Sequence, residues 1–472
     1  MELRSEPRLR SLPTPGPPRS PRPPGFPDGD EPDRISALPD EMLLQILARL
    51  RCGRAAAHTS GLSRRWRGLW RHLRELSFRG MPANAINAAL DQVAGQALTF
   101  LEVDIPEEHR VLEHARVSAL FLAAARLAPA DLVFSLWGNA YDKDGDIPIE
   151  MPSFERTTSI KLDVMDHVLI PPAGAVEFPL LEKLSIVCCH IDTAELVRRC
   201  PRLRLFEMEV FPSQDVAANR IKVHSPTIED LVVKVDDVQL HSLDIMAPVL
   251  KRFSLRVNMA KDFTVSFSAP MVENIRWDCL CEDENVGFGE KWRLCYLKLV
   301  MKENVGVLRM SISCEGWNWM LPDRSFSQEI AQLPAFSVLE LYLQSKDHCI
   351  GALVSHLLGV CSSIRRLKVV IGQYVSTEGC SPNCPCDQPQ NWRNEIISLK
   401  ALEEVEVTGF DGLDSEVDFL KLLFRCAPLM KSMTVVLAPE FLLADEYCEE
   451  IYSIFEANPH VKCSVDRTSC KG

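Results

Sequence analysis

The 472-residue sequence contains no apolar run approaching the roughly 18 residues of a membrane-spanning helix, so a membrane protein is not expected. Its amino end lacks the apolar core of a secretory signal, and residence in the nucleus or cytoplasm is the expectation. Positive charge is in deficit: 65 acidic residues against 52 basic ones leave a net charge of −13. Nucleic-acid binding, which wants a basic face, is therefore not expected. No phosphate-cradling loop and no dinucleotide-type glycine pattern occur. His241 with Asp244, and His348 with Cys349, lie near apolar segments, but neither pair joins a recognisable nucleophile to a base. These absences point away from an enzyme and from any cofactor.

Apolar residues make up 46% and charged residues 25% of the chain, ordinary values for a soluble globular protein long enough for two or more domains. Its 17 cysteines are scattered, with Cys188, Cys189, Cys279 and Cys295 in apolar, strand-like contexts. In a reducing compartment such cysteines behave as small buried side chains. Cys380, Cys384 and Cys386 cluster in one loop, but zinc takes four ligands, only three are local, and no histidine lies in that loop. The expectation is a turn with reduced thiols and no metal. Asp142-Lys143-Asp144-Gly145-Asp146 looks like a calcium loop, yet its glycine falls at the fourth position instead of the sixth. Ser153 also stands where the closing glutamate is required, so calcium is not expected. Glu282-Asp283-Glu284 reads as an exposed loop, with recognition of a basic target as the alternative. Arg64-Arg65-Trp66-Arg67 reads as the solvated side of a helix.

Residues 1–32 are dominated by proline and arginine, with PTPGPPRSPRPPGFP at their centre. So few apolar groups cannot offset the entropy of ordering, and a disordered leader is expected. The next segment, residues 33–78, is helical in pattern. Pro39 suits a first turn, and Asp40 and Glu41 place negative charge at the positive end of the helix dipole. Met42, Leu43, Ile46, Leu47 and Leu50 then recur at three- and four-residue intervals, with Leu44 widening the stripe. Gly53 is read as the stop. A second helix is expected over Ala55–Ser60 and a third over Ser63–Leu73, where Trp66, Leu69, Trp70 and Leu73 share a side. Three short helices of this size carry more apolar surface than they can hide, so they must dock on a partner or on the rest of the chain.

After residue 78 a short alternating segment keeps returning. Copies begin at Leu98, Thr158, Leu181, Leu203, Thr227, Leu250, Val272, Leu294, Val338, Ile364, Leu402 and Met430. From Leu181 to Leu294 the steps are about 22 to 24 residues, the leucine-rich-repeat period of one strand plus a return segment per coil. Such units cannot close a core alone and must stack. Pro201, Pro226, Pro248 and Pro270 stand just before strands, where a turn launches each coil. Longer loops are expected near 105–155 and 372–398. A conventional α/β sheet is the competing architecture.

LPDEMLLQIL followed by HTSGLSRRWRGLW resembles the F-box of the plant F-box/leucine-rich-repeat family. The resemblance implies a Skp-type adaptor, and through it a cullin, as partner. Leu38, Pro39, Leu43, Ile46, Leu47 and Trp66 are the adaptor contacts that it carries over. Gly61 and His58 depart from the family pattern; a glycine there weakens a helix by up to about 1 kcal/mol. Near the other end, CPCDQP, Asn391-Trp392 and LEEVEVTGFDGLDSEVDFLKLLFRCAPLMKSMTV resemble the FBD region of the same family, with an amphipathic helix from about Glu416 to Cys426. The fold class so read is α/β. The domains are a leader (1–32), a three-helix F-box module (33–78), a leucine-rich-repeat solenoid (79–380) and FBD-like C-terminal repeats (381–472). The function implied is a substrate-recognition subunit of an SCF-type ubiquitin ligase, itself non-catalytic, with an undetermined protein substrate. The alternative is a repeat scaffold that recruits no ligase.

Overall fold

A computed structural model of the chain describes residues 35, 38–95, 97–106, 114–136, 148–164, 168–174, 177–187, 190–210, 220–281, 286–303, 305–314, 324–346, 348–372, 380–381, 383–438 and 445–467. The leader at 1–32, Asp142–Asp146 and Glu282–Glu284 lie outside them. The fold is mixed α/β; among the described residues nineteen strands join in one sheet and three short strands form a second.

Helix α1 (Asp40–Arg49) begins where expected. Pro39 is extended at φ −61° and ψ 156°, and its carbonyl accepts from the N–H groups of Met42 and Leu43 at 3.0 and 3.2 Å. The helix ends because Arg51 turns left-handed at φ 48°. Gly53 is not the stop; it opens helix α2 (Gly53–His58). A Cβ on Gly53 would stand 2.6 Å from the Phe78 ring, so the glycine lets α2 lie directly against the strand Glu75–Arg79. The expected third helix over Ser63–Leu73 reduces to turns and a short 3-10 turn, Leu69–His72. Gly68, at φ 83°, breaks the α-helical path. Trp66, Trp70 and Leu73 are nevertheless buried together, as their spacing required.

All twelve repeated segments form strands. Starting from Glu75–Arg79, each long strand pairs with the next in the chain, in parallel, through Phe100–Ile105, Asp131–Leu136, Ser159–Val164, Lys183–Val187 and Leu205–Val210 to Asp230–Met246, Arg252–Ser268 and Asn274–Leu280. The ladder resumes from Val305–Cys314 through Val338–Gln344, Arg366–Gly372, Glu404–Phe410 and Ser432–Leu437 to Lys462–Arg467. Parallel neighbours require a crossover between strands, and the polar or helical stretches of the sequence supply it. Between the two runs lies Trp292–Lys302, which pairs antiparallel on both sides. The copy beginning at Leu294 is therefore not another coil but the return limb of a hairpin. A run of alternating apolar residues looks the same in either direction. The interval 105–155 is likewise not only loop: it holds the helix His114–Arg126 and a full rung, Asp131–Leu136.

Register explains the core. Leu184, Phe206, Leu231, Phe253 and Ile275 are Cα partners in successive rungs, and all are buried. Two residues along, Ile186, Met208, Val233, Leu255 and Trp277 repeat the pattern. Ser185, Glu207, Val232, Ser254 and Arg276, between these rows, face the other way. Each fully buried Leu or Phe contributes roughly 1.5–3 kcal/mol, and most of it depends on the neighbouring rung being present. Near the carboxyl end the helix Asp414–Cys426 buries Val417, Leu420 and Leu423 on the ladder, close to the bounds expected.

Candidate functional site

Helix α1 carries two apolar stripes. Leu43 and Leu47 are 0% and 1% exposed and point into the chain's own interior. Met42, Ile46 and Leu50, each four residues from the next, retain 43%, 39% and 43% of their accessible surface. One helical turn separates consecutive members, so they form a single outward row, with Pro39 exposed just before it. Arg65 bonds Asp40 through Nε at 2.9 Å and Nη2 at 2.8 Å and also reaches the Leu38 carbonyl, tying the loop after α2 to the start of α1. That pair is solvent-exposed and contributes little stability; its effect is to hold the orientation of α1.

The six residues singled out in the sequence thus divide. Pro39 and Ile46 are exposed and Leu38 is half-buried, whereas Leu43, Leu47 and Trp66 (8% exposed) belong to the interior. Side chains so enclosed cannot meet a second chain in this conformation. Met42 and Leu50 share the exposed row, and their four-residue spacing from Ile46 was the signal for them. Periodicity identifies apolar positions but cannot say which of two stripes faces inward. Gly61 is exposed, and nothing lies within 4 Å of where its Cβ would stand.

The outer face of the ladder is lined with charge. Glu229 accepts from Arg204 at 2.8 Å and from Lys251 at 2.9 Å, both on adjacent rungs. Both cations hold its carboxyl below the usual range. Asp278 takes Lys298, Arg276 and the Tyr296 hydroxyl, and its carboxyl is likewise lowered in spite of partial burial. His241 and Asp244, one of the pairs named above, prove to be links between rungs. His241 faces Asp262 at 2.5 Å, and Asp244 faces His224 at 2.8 Å. None of these contacts holds a nucleophile against a base.

One group among the described residues could hold a metal ion, and it includes a fourth donor that the sequence reading did not find. His348 joins Cys380, Cys384 and Cys386, with one ligand atom from each lying within 4.8 Å of all the others. The fourth donor is 36 residues from Cys384 in sequence, so loop spacing could not reveal it.

Parallel rungs carrying leucine and its equivalents at every coil define the class: the protein contains a leucine-rich-repeat region. Residues 120–275 match the family described as "FBD-associated F-box protein At5g56370, LRR repeats". Over 421 residues the chain is 25% identical to an Arabidopsis thaliana protein named as an FBD-associated F-box protein, At5g56390, covering 86% of this chain and 92% of that one. Over 474 residues it is 22% identical to another named as an F-box/FBD/LRR-repeat protein, At4g00315, covering 90% and 98%. A third, the F-box/FBD/LRR-repeat relative At5g44950, is 29% identical over 248 residues, and the chain spans about half the length of that and several other curated relatives. The family read from the sequence, plant F-box/FBD/leucine-rich-repeat proteins, is the one these relatives support.

Proposed function

We propose that this protein is the substrate-recognition subunit of an SCF-type ubiquitin ligase, acting in the nucleus or cytoplasm. Residues 33–78 act as the F-box module and dock a Skp-type adaptor, which brings the cullin. Leu38, Pro39 and Ile46 make the contact, joined by Met42 and Leu50. Leu43, Leu47 and Trp66 serve the same site from within by fixing α1 to the body. The strands of 79–380 stack as a leucine-rich-repeat solenoid presenting a protein-binding face, and 381–472 complete it as FBD-like repeats. The protein performs no covalent step. Ubiquitin transfer is accelerated by proximity, because a bound substrate sees the charged conjugating enzyme at high effective concentration.

The outward apolar row on α1 carries this reading: it is left open on a helix whose other apolar stripe, Leu43 and Leu47, is fully buried, where the family places its adaptor. A binding experiment tests it. The full chain should capture a purified Skp-type adaptor, and the double variant Leu38→Ala/Pro39→Ala should lose most of that capture. Central contacts often cost 2 kcal/mol or more each, and 1.4 kcal/mol is tenfold in affinity. Unchanged capture by the double variant counts against the site. No capture by the wild type leaves the scaffold alternative.

A further inference from the structure

The group formed by His348, Cys380, Cys384 and Cys386 differs from solitary buried cysteines such as Cys200 and Cys361. Those two sit in apolar surroundings, where burial pushes each thiol up to about 12. In the group, by contrast, donors face donors: Cys380 Sγ lies 3.4 Å from Cys386 Sγ, and Cys384 Sγ lies 3.3 Å from His348 Nδ1. Cys384 and Cys386 are buried, and the other two are half-buried. Two sulfur atoms at 3.4 Å are not joined by a disulfide, whose bond is about 2.0 Å long. A disulfide between them would also leave the approach of Cys384 to the imidazole unexplained.

The spacing suits a tetrahedral ion. With zinc–sulfur bonds of about 2.3 Å and zinc–nitrogen bonds of about 2.0 Å, the edges of the tetrahedron are roughly 3.5–3.8 Å. The two measured edges, 3.4 and 3.3 Å, fall slightly short of that range, and every other edge is within 4.8 Å, so small shifts would equalise them. Three thiolates and an imidazole are soft and borderline donors that select zinc over magnesium or calcium. We propose that these four residues form a structural zinc site of the Cys3His type. Because the protein supplies all four ligands, no position is left for water or substrate, and the ion acts as a cross-link, not a catalyst. Binding releases the three thiol protons to solvent, and the imidazole must be neutral.

The surroundings are built to hold the loop in place. Asp387, next to Cys386, accepts from the Trp392 indole at 2.8 Å and from Arg393 Nη1 at 3.0 Å. Cys349 donates its S–H to the same carboxylate in a hydrogen bond of 3.1 Å, so it is turned away from the group although it adjoins His348. His348 follows the strand Val338–Gln344 and the three cysteines follow Arg366–Gly372, two rungs that pair directly. The ion would therefore staple the exit loops of two consecutive coils. Nothing in this inference depends on the ligase reading.

Metal analysis of the purified full chain tests it. One zinc per chain is expected, falling to background in Cys384→Ser and Cys386→Ser and unchanged in Cys349→Ser. Wild-type protein exchanged into Co2+ should show the intense visible bands of a tetrahedral thiolate site, a readout independent of whether any variant folds. Background zinc in the wild type, or a Co2+ spectrum without thiolate bands, overturns the proposal. So does recovery of a Cys380–Cys386 disulfide from protein kept under native conditions.

Discussion

Single residues in this protein are tuned by what encloses them, and Glu416 is the clearest case. It is buried near the start of the helix Asp414–Cys426, where its Oε2 accepts from the N–H groups of Asp411 and Leu413 at 2.9 and 3.2 Å. Burial pushes its carboxyl up to about 7 from 4.5, helped by the Asp411 charge and opposed by the N–H donors. The folded chain therefore holds a proton that the unfolded chain has released. This contribution is complete below about pH 4.5 and is lost as pH rises through 7. The difference is on the order of 3 kcal/mol. Glu416→Gln keeps an acceptor and removes the charge, so urea unfolding of that variant should lose the fall in stability between pH 5 and 8 that this carboxyl imposes on the wild type. A different constraint acts at Gly351, where a Cβ would lie 2.1 Å from the buried Trp392 ring. Gly351→Ala should cost about 1–3 kcal/mol of stability by overpacking, measurable as a lower unfolding midpoint.

Among the elements, α1 shows most clearly how packing and binding are divided between two sides of one helix. Leu43→Ala removes an interior side chain and should cost about 2–5 kcal/mol, lowering the melting temperature. Ile46→Asp, on the exposed row, should leave that temperature within about 1 °C-scale noise while abolishing capture of the adaptor, because surface changes away from packed contacts are nearly neutral. Thermal melts and a pull-down on the same two variants check both. If Ile46→Asp binds as the wild type does, the exposed row is not the docking surface. The helix itself was legible from the spacing of its leucines and its acidic first turn. Which stripe faced inward was not, since both satisfy helical periodicity. Gly53 was misread because a glycine that ends a helix and one that admits a neighbouring ring are identical in sequence.

For the molecule as a whole, stability accrues from rung to rung. Each strand of the parallel runs meets mainly its two neighbours, so damage should spread only locally. Leu367→Asp, at a fully buried position in Arg366–Gly372, should abolish hydrogen-exchange protection in the rungs after Val305–Cys314. Protection from Glu75–Arg79 to Asn274–Leu280 should persist, because the antiparallel limb Trp292–Lys302 separates the two runs. Uniform loss of protection along the chain would show a single cooperative unit instead.

Alternation of apolar residues was enough to find the twelve repeated strands, with a period near 22 to 24 only from Leu181 to Leu294, since a side chain's face in a strand depends only on its neighbours along the chain. Composition likewise excluded a spanning apolar helix and set the charge. The direction of the Leu294 segment, the inward stripe of α1 and the meeting of His348 with three distant cysteines were decided only by the tertiary structure. Each depends on which segments come together across tens of residues, and local patterning carries no record of that choice.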